Sequence, residues 1–126
     1  MGIATVHAVV SSGGRLFSIE DRATPEHPFL PGRFKLIARD AFNGIELWRR
    51  EIDVWEPVTR YVKSTAIELQ RRLIAVDDTV FFTPSLMAPV KAIDARTGDV
   101  LRSYQGTEPA REMVYDRGLL LVVVGD

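Results

Sequence analysis

The stretch Ala38-Arg39-Asp40-Ala41-Phe42-Asn43-Gly44-Ile45-Glu46-Leu47-Trp48 returns later in the chain as Ala92-Ile93-Asp94-Ala95-Arg96-Thr97-Gly98-Asp99-Val100-Leu101-Arg102. Alanine, aspartate, glycine and leucine recur at one offset, since 94 − 40, 98 − 44 and 101 − 47 each give 54. A fixed period of this size marks a repeated supersecondary unit, and it constrains the architecture before any single residue does. Within the first copy, Phe34, Leu36 and Ala38 alternate with Lys35, Ile37 and Arg39, the period of a strand with two unlike faces. Asn43-Gly44 follows as a hairpin signal, because both residues tolerate the positive φ of tight turns, and residues 45–52 read as the returning strand.

Working outward, residues 3–10 and 15–19 read as two further strands joined through Ser11-Ser12-Gly13-Gly14. Residues 22–33 hold Pro25, Pro28 and Pro31, which lack the N–H that a central ladder needs, so a long loop is expected there. The first unit is thus a four-stranded meander. A second long connection, residues 54–64, leads to another: strands at 72–76, 79–83, 90–94 and 100–105, with turns at Asp77-Asp78 and Thr97-Gly98. Residues 65–73 are also rich enough in helix formers to read as a short helix instead. A third unit starts with a strand at 112–115, turns at Asp116-Arg117-Gly118 and runs on through residues 119–124. That last run is apolar at every position, which predicts a strand covered on both faces.

The expected fold is therefore all-β: antiparallel four-stranded blades, about two and a half of them, as units 1–53, 64–106 and a partial 110–126. Meanders repeating at this spacing and packed face to face build radial propellers, and closing a ring takes about 4–8 blades. Two similar hairpins inside a closed β-sandwich or barrel are the plainer architecture with the same pattern.

Composition narrows the functional classes. A formal net charge of −1 over 126 residues supplies no broad basic surface for nucleic acid. There is no cysteine, which removes disulfides and thiolate metal sites. The longest apolar run, 119–124, is far shorter than the roughly 20 residues of a membrane-spanning helix. Residues 1–10 lack the basic start and long apolar core of a signal peptide, so the chain is expected in the cytosol or exported under a leader outside this sequence.

The repeated segments resemble the docking motif of quinoprotein propellers, the pyrroloquinoline quinone type repeats also found in outer-membrane assembly lipoproteins of the BamB kind. Ala38, Asp40, Gly44 and Trp48 match it, with Asn43 where threonine is usual. Ala92, Asp94, Thr97 and Gly98 match a second copy, with Arg102 in place of the tryptophan. The resemblance implies that Trp48 docks near Thr97 and Gly98 of the adjacent blade. It also implies a bacterial cell-envelope or periplasmic protein whose partners are the remaining blades, further copies of itself or another protein. Its enzymes would hold pyrroloquinoline quinone with calcium in the complete propeller and oxidise alcohols or sugars; its scaffolds bind partners without catalysis. The lack of cysteine and of an acidic cluster with calcium-like spacing favours the scaffold, with no cofactor within this segment.

Individual candidates are few. The two long connections fall at one end of the meanders, so His27, Trp55, Arg60, Tyr61 and Lys63 form the expected ligand-binding loop face. Asp40 and Asp94 each precede a turn, where a carboxylate accepts backbone N–H groups, which is a structural role. His7 and His27 are isolated from other ligand types, and no metal site is expected. Ser11-Ser12-Gly13-Gly14 lacks the lysine of a phosphate loop. Arg49-Arg50 and Arg71-Arg72, flanked by Glu51 and Glu68, read as solvated surface.

Overall fold

The computed structural model describes residues 5–21, 34–52, 72–84 and 88–125. All of its regular structure is antiparallel strand: β1 (Thr5–Ser12), β2 (Arg15–Asp21), β3 (Phe34–Asp40), β4 (Glu46–Ile52), β5 (Leu73–Val76), β6 (Thr79–Phe82), β7 (Val90–Asp94), β8 (Val100–Tyr104), β9 (Ala110–Asp116) and β10 (Leu119–Val124). They form two meanders, β1-β2-β3-β4 and β5-β6-β7-β8, and one hairpin, β9-β10. Of the residues where a short helix was the alternative, 65–71 lie outside the described part, and Leu73 opens β5.

Turn chemistry sets where these strands end. β1 continues through Ser11 and Ser12, which the sequence placed in the turn, and the reversal is made by Gly13 and Gly14 alone, at φ 60° and 77°. Two residues at positive φ match the right-handed twist of flanking strands, and only glycine does this without strain. The Asn43-Gly44 turn differs from the two-residue hairpin expected there. Its loop is closed by the Asp40 N–H donating to Ile45 O at 2.8 Å, and Gly44 takes the positive φ while Asn43 does not. Asp40 decides this longer loop: its Oδ1 accepts the N–H of Phe42 at 2.8 Å and of Asn43 at 3.2 Å.

The same loop recurs on the second sheet. The Asp94 N–H donates to Asp99 O, the Gly98 N–H to Asp94 O, and the Arg96 N–H to Asp94 Oδ1, each the counterpart of a bond in the first copy. The recurring leucine is explained here too. Pairing passes from Ala38↔Trp48 to Arg39↔Glu46 and from Ala92↔Arg102 to Ile93↔Val100, so Leu47 and Leu101 are the extra residues of two matching β-bulges. A bulge re-aims the residues beside it. In β4 it turns Trp48 toward the core face, across from Ala38, while Leu47 stays exposed.

The three sheets stack in chain order. One apolar cluster joins Ala8, Phe17, Ile19, Leu36 and Ala38 of the first sheet to Leu73, Val80, Phe82 and Ile93 of the second. A second joins Phe81, Val90 and Ala92 to Ala110 and Met113, with Leu120 and Val122 packed against it. In β6, successive residues Val80, Phe81 and Phe82 are therefore all buried, alternately toward one neighbouring sheet and the other. β1 comes close to β5, and β5 to β9, so the sheets approach one another at their first strands.

β10 departs from expectation. Its apolar run predicted cover on both faces, but Leu120 and Val122 face the second sheet while Leu119, Leu121 and Val123 are exposed by 65%, 56% and 53%. The strands covered on both faces by a neighbouring sheet are β5, β6 and β7 of the second sheet, and in β6 the sequence shows only the three-residue apolar run Val80-Phe81-Phe82. How many sheets flank a strand is a property of the assembly, and local hydropathy does not record it.

Candidate functional site

The most constructed feature of the described residues is the seam between the first and second sheets. Four side chains of the first sheet cross it, and all land on turns of the second. The Ser12 hydroxyl donates to Asp77 O at 3.2 Å, and the Arg15 guanidinium donates to Asp78 Oδ1 at 3.1 Å. From β4, the Trp48 indole N–H donates to Ala95 O at 2.8 Å, and an Arg50 N–H donates to Gly98 O at 2.7 Å. The receiving turns are tied together by the Ala95 N–H donating to Asp78 O, as the Ala41 N–H donates to Gly14 O in the first sheet.

Trp48 sets the geometry of the seam. Its ring leans on Phe17, 6.0 Å between centroids, and Gly98 also lies against it. Gly98 is at φ 83°, and a Cβ there would stand 2.9 Å from two ring carbons. Two independent requirements, a left-handed backbone and a bare Cα under an aromatic ring, thus coincide on one residue. Gly44, the counterpart on the first sheet, is also at positive φ but has nothing within 4 Å of the same point.

Arg50 was read from sequence as solvated surface together with Arg49. Arg49 does pair with Glu46 at the exposed face, where that carboxylate raises its pKa by hydrogen bond and charge. Arg50, one residue on, faces the other way and satisfies a turn carbonyl. The signal was available: in a strand, positions two apart share a face, so Arg50 goes where Trp48 goes. Removing the guanidinium in Arg50→Ala is expected to cost about 1 kcal/mol of stability, because Gly98 O is left to water. Urea unfolding followed by circular dichroism measures it. Arg72, the other misread arginine, is buried at 8% exposure.

Several carboxylates are engaged structurally. Asp94 is held below its ordinary pKa, first by the Arg96 side chain and then by the Arg96 backbone N–H. A depressed folded-state pKa adds stability above the ordinary aspartate range and loses it as pH falls through the lower folded value. Relative to Asp94→Asn, the native chain is therefore expected to have a higher urea midpoint at neutral pH. That advantage should shrink as pH drops below about 4. On the outer face of the first sheet, Glu20, buried at 4% exposure, accepts from Arg39 and from the Ser18 hydroxyl. Lys35 approaches Glu51 on the same face. His7 packs against Phe34, ring centroids 5.3 Å apart.

Among the described residues no three His, Cys, Asp or Glu side chains gather to hold a metal ion, and no helix is long and apolar enough to cross a membrane. Three described carboxylates are held within the fold: Glu20 by Arg39, Asp40 by turn N–H groups and Asp94 by Arg96. The loop-face candidates His27, Trp55, Arg60, Tyr61 and Lys63 lie outside the described residues, as does Arg71. No family model matches the sequence, and comparison with curated proteins returns no match.

Proposed function

We propose that this chain is a non-catalytic scaffold: a segment of a quinoprotein-like β-propeller whose blades stack rigidly and present loops for a protein or ligand partner. The observation that carries the reading is the Trp48 seam, in which a tryptophan at the end of one repeat packs on the glycine turn of the next. The approach of the sheets at β1, β5 and β9 supports a radial fan over a flat sandwich, whose layers stay about 10 Å apart throughout. The commitment of Asp40 and Asp94 to turns and of Glu20 to an ion pair supports a structural role for these three carboxylates. In this reading the remaining blades belong to the same larger repeat protein of the cell envelope, and the long connections carry the contacts.

The test is a titration with pyrroloquinoline quinone in the presence of calcium, followed by a dye-reduction assay with alcohol and sugar substrates. The scaffold reading expects no saturable quinone binding and no dye reduction. Calcium-dependent binding with substrate-dependent dye reduction would overturn it in favour of a quinone-dependent dehydrogenase.

A further inference from the structure

The chain holds a single asparagine, Asn43, and Gly44 follows it. Both are exposed, in the loop that joins β3 to β4. The side-chain amide of asparagine is one of the chemically labile groups of a protein, and a following glycine leaves the next peptide nitrogen unscreened by a Cβ.

Three features of the loop bear on that chemistry. The Ile45 N–H donates to Asn43 Oδ1 at 2.9 Å, so the side chain bridges Gly44 and its carbonyl carbon is polarised by a donor. Gly44 has nothing within 4 Å of its Cβ position, which leaves room for the backbone to turn there. The Gly44 nitrogen is held by its N–H donating to Asp40 O at 2.9 Å, a bond inside the loop, while ladder pairing resumes only at Arg39↔Glu46.

The second copy of the loop shows that this exposure survives docking. Thr97 holds the place of Asn43, and it is exposed although Trp48 lies against Gly98 beside it. A docked ring covers the glycine of this turn and leaves the preceding side chain in water. Thr97 has no amide to lose, so the two loops are alike in fold and unlike in chemistry. Gln105, also exposed, precedes Gly106, but attack on its longer side chain closes a six-membered ring and is slower. It is the internal comparison.

We infer that Asn43 is a site of spontaneous deamidation in the folded chain. Solvent hydroxide takes the Gly44 amide proton, and the nitrogen attacks Asn43 Cγ. The new C–N bond closes a succinimide ring as the bond from Cγ to Nδ2 breaks, and Nδ2 leaves as ammonia with a proton from water. Water then adds to one of the two ring carbonyl carbons: addition at Cγ gives aspartate, and addition at the main-chain carbonyl carbon gives isoaspartate. The sum is asparagine plus water going to either acid plus ammonia, with no change of oxidation state. Either product sets a carboxylate in the loop with Asp40 and adds one negative charge to the formal net charge of −1. Isoaspartate also lengthens the main chain between Asp40 and Ile45, whose N–H to O bond closes the loop. The inference is independent of the scaffold reading, which fails on quinone-dependent dye reduction.

The test incubates the full chain at mildly alkaline pH, folded in buffer and unfolded in urea, and samples both by peptide mapping with mass spectrometry. The folded chain is expected to gain the mass of exchanging NH for O in the peptide that holds Asn43, split into two chromatographic isomers, with ammonia released in equal amount. Its rate should be about fivefold below that of the unfolded chain, the factor by which opening the Gly44 N–H bond to Asp40 O is disfavoured. Asn43→Thr, which installs the residue of the second loop, should abolish the gain and leave the circular dichroism spectrum unchanged. No gain in the folded chain while the unfolded chain shows it, a gain that falls first on Gln105, or a gain that persists undiminished in Asn43→Thr would each overturn the inference.

Discussion

Trp48→Ala is expected to lower stability by about 3 kcal/mol, at the lower end for truncating a large aromatic because the ring is only partly buried. The loss has two separable parts. The indole N–H bonded to Ala95 O contributes about 1 kcal/mol, and Trp48→Phe, which keeps most of the ring and removes the donor, isolates it. The rest is contact of the ring with Phe17 and Gly98. A cavity there opens between two sheets, so the first and second units should also unfold less cooperatively, with a lower urea m-value. Equilibrium urea unfolding of the three proteins separates these contributions.

Gly98→Ala is expected to destabilise by about 2–3 kcal/mol, more than alanine at most glycine positions. Left-handed backbone alone costs a non-glycine residue roughly 1 kcal/mol. The added methyl carbon also meets the indole at 2.9 Å, and a ring displaced to admit it strains the bond to Ala95 O. Gly44→Ala is the internal control. It has nearly the same φ, 76° against 83°, and open space at the Cβ position, so it should show only the backbone cost of about 1 kcal/mol. The difference between the two variants measures the seam, since the turns are otherwise built alike.

The positions of the strands were legible because turn residues and alternation are local. Gly13-Gly14, Asp77-Asp78 and Arg117-Gly118 each reverse the chain, and the left-handed φ of Asp77 and Arg117 lies inside segments marked as turns from sequence. The all-β class and antiparallel pairing follow from that pattern. Three features were not legible, each because it depends on what lies across a gap in sequence, and a fourth, the direction of Arg50, was legible but misread. The apolar run of β10 gave no sign that its outer face stands open, since hydropathy reports what a face prefers and not what covers it. Arg50 carried the composition of a surface residue and the strand parity of Trp48, and parity prevailed. Ser12 and Arg15 reach turns more than sixty residues away, at separations no local pattern encodes. Leu47 and Leu101 recur as conspicuously as the aspartates, yet they mark bulges whose use is to aim their neighbours. The candidate loop face was argued from the same local logic, and its residues lie outside the described part of the chain.

The most direct test of the stacked-repeat architecture is a double-mutant cycle between Trp48 and Gly98, read by equilibrium urea unfolding. If the ring of one unit rests on the turn of the next, removing the indole should free the space that Gly98→Ala needs. The second substitution should then cost only its backbone strain of roughly 1 kcal/mol, and the pair should be non-additive by about 1–2 kcal/mol. Additivity within about 0.5 kcal/mol would show that the two residues do not meet, and the docking of one repeat on the next would have to be abandoned.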